Sequence, residues 1–165
     1  MYYVIWEPDG SELTQGIEDY LRNAAIDFKV HVVNGSTTTC QDAATQLQVP
    51  LKMIIKTIVF TDEKNSPIIA ILTGDKRADK RKLSATVGAL KVRIATPEAT
   101  KEFTGFEVGV MPPVGHKVRT RTVIDQNVMT QSKVYGGYGI PKVLIEIGPR
   151  DIAKLADAKI SDISE

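Results

Sequence analysis

Lys56 is a lone cation inside Met53-Ile54-Ile55-Lys56-Thr57-Ile58-Val59-Phe60, a run otherwise apolar or β-branched. Its length and composition suit a buried strand. Alternation puts Ile54, Lys56, Ile58 and Phe60 on one face and Met53, Ile55, Thr57 and Val59 on the other. An ammonium among such neighbours is costly unless anionic or polar groups meet it. It is therefore a candidate for binding or polarising negative charge. An edge strand whose lysine discourages pairing with other chains accounts for the pattern equally well. The second informative stretch is Thr104-Gly105-Phe106-Glu107-Val108-Gly109-Val110-Met111-Pro112-Pro113-Val114-Gly115. It holds three glycines and two prolines in twelve residues. Glycine lets backbone approach a ligand closely and proline restricts φ, so the segment can aim amides at a developing oxyanion. Composition alone favours a tight surface loop between helix and strand.

The elements that must position these residues read as α+β. Ser11 caps a helix with Leu13, Ile17, Tyr20 and Leu21 on one face, after a short strand at Val4 to Trp6 and a turn at Glu7 to Gly10. Phe28 to Val33 alternates as a strand. Thr39 with Asp42 forms a capping-box-like pair before Ala43, Ala44 and Leu47, and Val49-Pro50 ends that helix. The Lys56 strand turns at Asp62 to Ser66 into Ile68 to Leu72. A helix is expected from Asp79 to Val87, stopped by Gly88. A strand follows at Val92 to Ala95, then a helix from Thr96-Pro97 to about Phe103. Further strands are expected at about Val118 to Ile124, Lys133 to Tyr135 and Lys142 to Ile147, with Gly136, Gly137 and Gly139 separating the last two. Pro149-Arg150-Asp151 opens a final helix with Ile152 and Leu155 facing inward.

The 165 residues suit one domain, 1–165, with a real core. Hydrophobic content of 42% and charged content of 25% are those of a soluble globular chain. Lys and Arg number 21 against 20 Asp and Glu, so any nucleic-acid contact must come from local patches. One patch is Lys76-Arg77-Ala78-Asp79-Lys80-Arg81-Lys82, which reads as a phosphate site or as a solvated helix face. Another is His116, Lys117, Arg119 and Arg121. Cys40, the single cysteine, excludes an internal disulfide and a cysteine zinc cage. Two histidines without ligand spacing argue against a metal enzyme, and no cofactor fingerprint is present. The start meets Glu7 and Asp9 too early for a signal peptide, and no apolar run could span a membrane. A cytoplasmic location is expected.

Taken in order, these motifs resemble the YbaK / prolyl-tRNA synthetase editing-domain family, deacylases that clear mischarged aminoacyl-tRNA. The matching residues are Thr39 with Ala43-Ala44, Lys56-Thr57, Thr104-Gly105-Phe106, Gly109, Pro113 and Gly115. Ile124-Asp125, Gly136-Gly137 and Ile147-Gly148-Pro149-Arg150-Asp151-Ile152 follow, so the resemblance runs from about Leu13 to the C-terminus. It implies a mixed, mostly antiparallel, partly closed β-barrel-like sheet flanked by helices. It also implies a free-standing hydrolase acting in trans on a small amino acid ester, carried by the proline tRNA or a related one. Pro112 and His116 depart from the family's usual residues, and Met1 to Gly10 lacks a counterpart. These departures leave the preferred amino acid open.

The resemblance makes Lys56 the functional lysine, Gly109 and Gly115 part of the pocket loop, and Asp125 an aspartate near the pocket. Thr104, Phe106, Val110, Met111, Pro113, His116 and His31 are the substrate-binding candidates, although a structural hydrogen bond is the simpler role for His31. Met53, Ile55, Val110 and Met111 are candidates for the pocket wall, with core packing as the plainer role. Lys76, Arg77, Lys80, Arg81, Lys117 and Arg119 are the candidates for tRNA. Lys117 and Arg119 rank first for guiding the acceptor end because they follow the glycine-proline loop. Expected partners are aminoacyl-tRNA and an aminoacyl-tRNA synthetase, with no membrane, metal or cofactor. Rival readings are a non-catalytic tRNA-end or synthetase-binding module and a hydrolase that uses Cys40 as nucleophile at a helix N-terminus.

Overall fold

The computed structural model describes residues 11–165, with side chains from residue 16 onward. The strand expected at Val4 to Trp6 and the turn after it lie outside the described residues. Helix α1 (Ser11–Asn23) buries Ile17 and Leu21. Strand β1 (Phe28–Val32) leads through a polar loop to α2 (Cys40–Leu47). Thr39 Oγ1 accepts from the Asp42 amide at 3.0 Å, and Asp42 Oδ2 accepts from the Thr39 amide at 3.3 Å. This reciprocal cap contributes about 1 kcal/mol and fixes where the helix starts. Gln48 ends it in the left-handed region, and a 3-10 turn at Leu51–Met53 feeds β2 (Ile55–Asp62).

Strands β2 and β3 (Pro67–Thr73) form an antiparallel hairpin, with Lys56 opposite Leu72. Its turn is held by Asp62, whose Oδ1 accepts from the amides of Lys64 and Ser66, both at 2.9 Å. Helix α3 (Lys80–Val87) has Asp79 as its cap and Gly88 as its left-handed stop. Strand β4 (Val92–Ile94) and helix α4 (Pro97–Thr104) follow. The chain then runs through the glycine-proline loop to β5 (Arg121–Asp125), a 3-10 turn at Val128–Thr130, β6 (Val134–Gly137) and β7 (Val143–Ile147). Helix α5 (Pro149–Ala156) and strand β8 (Lys159–Ser161) complete it.

One sheet has the order β4-β2-β3-β5-β8 and the other β1-β7-β6. The β3–β5 and β5–β8 pairs are parallel, and the remaining pairs are antiparallel. Among the described residues a single bridge, Ile54 to Tyr135, joins the sheets. They share one core, in which Ile55, Val59, Ile69, Ile71 and Ile124 of the larger sheet meet Val134, Val143, Ile145 and Ile147 of the smaller. Ile17 and Leu21 of α1 and Ile152 of α5 close that core. The fold is the expected mixed α+β arrangement, a barrel only partly closed.

Three local expectations need correction. Val118 to Thr120 lies outside β5, because the amides of Lys117 and Val118 bond to the Thr104 and Phe103 carbonyls, each at 3.0 Å. Gly136 and Gly137 do not separate strands; they belong to β6, where their lack of a side chain permits close packing. Strand β8 was not anticipated, since three residues with an exposed Ile160 carry no strand signal.

Thr73 has a buried hydroxyl with no hydrogen-bond partner among the described residues. An unsatisfied buried hydroxyl costs about 1–3 kcal/mol. Thr73→Val keeps the shape, so it is expected to stabilise the protein by about 1 kcal/mol, or roughly 2–4 °C in Tm. A lower Tm in a thermal melt would mean that the hydroxyl has a partner after all.

Candidate functional site

The position of Lys56 follows from how the helices cover one face of β2. Helix α2 packs Ala43 and Ala44 on Ile54, and α3 packs Leu83 on Phe60, Ile68, Ala70 and Leu72. Lys56 and Ile58 fall between the two covers and stay half-buried. The outer edge of β2 is also interrupted there. Strand β4 pairs only with Phe60 to Asp62, the Ala95 amide bonds to the Val59 carbonyl at 2.9 Å, and Ile54 bridges to Tyr135. Lys56 is thus paired on its β3 side and lies beside a gap on the other. Its ammonium has no hydrogen bond or ion pair to any described residue.

The gap opens into a cleft of ≈ 320 Å³. Ala43, Ile54, Ile140, Val143 and Leu144 supply an apolar wall; Thr37, Thr38, Thr39 and Cys40 lie at the start of α2; and Val108 to Met111 form the facing side. Burial pushes the Cys40 thiol up, and the Lys56 ammonium pulls it only partly back. A thiolate is therefore scarce at neutral pH, contrary to what a poised nucleophile needs.

The glycine-proline loop is tied at its base and again at its crest. At the base, Gly105 takes a positive φ of 84°, and Thr104 Oγ1 donates to the Thr100 carbonyl at 2.6 Å and accepts from the Phe106 amide at 3.1 Å. At the crest, Gly109 has φ 92° and the Val110 carbonyl accepts from the Gly139 amide at 2.8 Å. The amides of Gly109, Val110 and Met111 donate to no described residue, and their segment lines the cleft. Burial lowers the pKa of His116, whose Nε2 lies 2.7 Å from the Pro112 carbonyl. A neutral imidazole with its proton on Nε2 makes that contact a donated hydrogen bond, latching the loop's second half.

The structure therefore brings together Lys56, Gly109, Val110 and Met111, with Ile55 beside them; Met53 does not line this cleft. Thr104, Phe106, Pro113, Gly115, His116, Lys117 and Arg119 instead surround a second cleft of ≈ 640 Å³, beneath Ile17 and Tyr20 of α1 and beside Leu155 of α5. The middle of the loop, Val108 to Met111, faces the first cleft, while its two ends, Thr104 to Phe106 and Pro113 to Gly115, border the second. Asp125 is fully buried away from both, accepting from the Asn127 amide, Asn127 Nδ2 and the Ile163 amide. Its carboxylate fastens the segment after β8 to β5. His31 lies 3.1 Å from Glu146 Oε1 and edge-on to Tyr135, outside the cleft. Arg77 and Lys80 come up beside Lys56 in an adjoining depression, on the side away from the Gly109–Met111 cleft. Arg81 is exposed on α3, and Lys76 is half-buried just ahead of that helix. The sequence reading missed Thr37, Thr38, Ile140 and Leu144. The hydroxyl run Ser36 to Thr39 ahead of a capped helix was the available signal for the first two.

Among the described residues no cluster of three or more His, Cys, Asp or Glu could hold a metal ion, and no helix is long and apolar enough to cross a membrane.

Residues 34–155 match the family described as "Aminoacyl-tRNA editing domain". The chain is 30% identical over 122 residues to the proline–tRNA ligase of Nitratidesulfovibrio vulgaris, covering 74% of this chain and 20% of the ligase. It is 25% identical over 126 residues to the "Putative Cys-tRNA(Pro)/Cys-tRNA(Cys) deacylase EbsC" of Enterococcus faecalis, covering 76% of this chain and 77% of that one. A crystal structure described as "a putative trans-editing enzyme for prolyl tRNA synthetase" superposes with a TM-score of 0.86 at 28% identity, covering 98% of this chain and 99% of the other. Against another proline–tRNA ligase, from Thermodesulfovibrio yellowstonii, the chain spans only 12% of the relative's length.

Proposed function

The chain belongs to the aminoacyl-tRNA editing-domain family, and from that premise we propose that it hydrolyses the ester of mischarged aminoacyl-tRNA, acting in trans. The amino acid is small, and the tRNA is that for proline or a related one. In this reading 1–165 is a single editing domain and a prolyl-tRNA synthetase is the source of its substrate. One observation carries the proposal: an ammonium, Lys56, unpartnered among the described residues, at the rim of an apolar cleft whose facing side is the Gly109–Met111 backbone.

An aminoacyl ester is already activated, so the protein needs to position it and stabilise charge more than it needs a strong nucleophile. The side chain of the amino acid enters the wall of Ala43, Ile140 and Leu144. The amides of Gly109 to Met111 receive the carbonyl oxygen as it becomes an oxyanion. Lys56 binds phosphate or ribose oxygen at the 3′ end and stabilises the same developing charge. Water adds to the carbonyl carbon, the bond from carbon to ribose oxygen breaks, and the ribose oxygen leaves with a proton as the free amino acid departs. A synthetase pocket separates two side chains differing by one methylene by only about 1–3 kcal/mol, which gives a second hydrolytic site its use.

The test presents purified protein with a panel of mischarged tRNAs and measures amino acid release. Release is expected for small amino acids and not for large ones. Cys40→Ser is expected to retain activity within about threefold, since the raised thiol takes no covalent part. Loss of activity in Cys40→Ser with the fold intact would favour the thiol hydrolase. Binding without release from any substrate would favour a recognition module.

A further inference from the structure

We propose that the single-stranded 3′ end of an RNA reaches Lys56 along a second depression, with Arg77 and Lys80 holding its phosphates. The proposal rests on the reading above for the identity of the strand. The depression has a volume of ≈ 400 Å³ and is continuous with the acyl-sized cleft, since Lys56 and Ile58 line both. Its floor is Ile58 with Ile94, which is 59% exposed, and its rim carries Lys56, Arg77 and Lys80. The gap between the covers of α2 and α3 thus has an apolar end and a cationic end, with Lys56 at the junction. An aminoacyl nucleotide has the same polarity: an acyl group on one side of the ester and phosphates on the other.

The cations stand on fixed backbone. The Glu165 amide bonds to the Arg77 carbonyl at 2.9 Å, and Ala78 bridges to Ser164. Lys80 opens α3 directly after its Asp79 cap, whose own amide bonds to the Ile163 carbonyl at 2.8 Å. Two neighbouring charges, Lys82 and Asp79, are already committed. Lys82 Nζ donates to Asp162 at 2.9 Å and to the Ser164 carbonyl at 2.7 Å, and the Asp79 carboxylate caps the helix. Arg77 and Lys80 have no ion pair to any described residue. Against three cations the depression sets one acidic residue, Glu165. A cationic rim over an apolar floor is the arrangement that tracks a single strand's backbone while its bases lie on the floor.

Lys117 and Arg119 line the other cleft, behind the loop. The path therefore runs past α3, not along the basic stretch that follows the loop in sequence.

The probe is a 5′-labelled, uncharged RNA hairpin with a four-nucleotide single-stranded 3′ tail, its binding followed by anisotropy across a salt series. Arg77→Ala/Lys80→Ala is expected to bind about tenfold or more weakly near 0.1 M salt. Its log–log salt slope is expected to be shallower by about 1.4, roughly 0.7 for each single-strand phosphate that is no longer neutralised. Lys64→Ala/Lys154→Ala removes the same charge elsewhere and is expected to bind as wild type. With a blunt hairpin the difference between wild type and the Arg77/Lys80 variant is expected to vanish. Equal binding by the two proteins, equal weakening on tailed and blunt hairpins, or no tail-dependent binding by wild type would each overturn the path. Because the probe carries no amino acid, the outcome is separable from hydrolysis. An inactive protein that binds the tail through Arg77 and Lys80 keeps the path and removes the hydrolase. An active one whose double variant has an unchanged KM for charged tRNA removes the path and keeps the hydrolase.

Discussion

Lys56→Ala is expected to lower kcat/KM for deacylation by about 10²- to 10³-fold, the usual effect of removing one oxyanion-stabilising donor. The Tm is expected to stay level or rise. These two outcomes come from the same environment. The ammonium is half-buried beside Ile58, opposite Leu72 on β3, with no described counter-charge. Its partial desolvation is a cost in the free protein, and removing it forfeits no ion pair to a described residue. Lys56→Met keeps most of the stem and deletes only the charge, so an equal loss in that variant assigns the effect to the ammonium and not to packing. Single-turnover kinetics on a mischarged tRNA, run beside thermal melts, read both quantities. Full activity in either variant would remove Lys56 from the chemistry. A large fall in Tm would recast it as a structural residue.

Sequence alternation alone placed Lys56 on the same strand face as Ile54, Ile58 and Phe60, and local signals marked the helices α2 and α3, but their packing over either end of that face is tertiary. What no local pattern contains is the interruption of β2's outer edge between the Ile54–Tyr135 bridge and the β4 ladder. The strand is interior at one end and open at the other, so the edge and interior readings of Lys56 each describe part of it. The loop shows the same limit. Its glycines and prolines announced a fixed course, but that its middle and not its ends faces Lys56 depends on tertiary contacts such as the Gly139 amide on the Val110 carbonyl. Residues Gly115 to Arg119 follow the cleft-lining segment closely in sequence and yet border a different cleft. Asp125 misled for a related reason. A carboxylate ending a strand looks available, but its acceptors are used by Asn127 and by Ile163, which is 38 residues away in the chain.

The crest of the loop is placed by an absent side chain, so Gly137→Ala is expected to damage both activity and stability. A Cβ at Gly137 would lie 2.6 Å from the carbonyl oxygens of both Val110 and Met111. These are backbone atoms, and the Val110 carbonyl is also held by the Gly139 amide at 2.8 Å. A flexible side chain could swing aside, but this segment can only move as a unit, carrying the amides of Gly109 to Met111 off the cleft. Overpacking of this kind costs about 1–3 kcal/mol, which is roughly 2–12 °C in Tm for a chain of this size. Displacement of catalytic donors by about 1 Å costs on the order of 10²-fold in rate. Gly88→Ala supplies the comparison. It imposes a left-handed alanine at φ 70° with nothing within 4 Å, on the far end of α3 from the cleft. It is expected to lower Tm through backbone strain of about 1–2 kcal/mol while leaving kcat unchanged. If Gly137→Ala matched Gly88→Ala in kcat, the Val110–Met111 backbone would not be where the ester carbonyl is received.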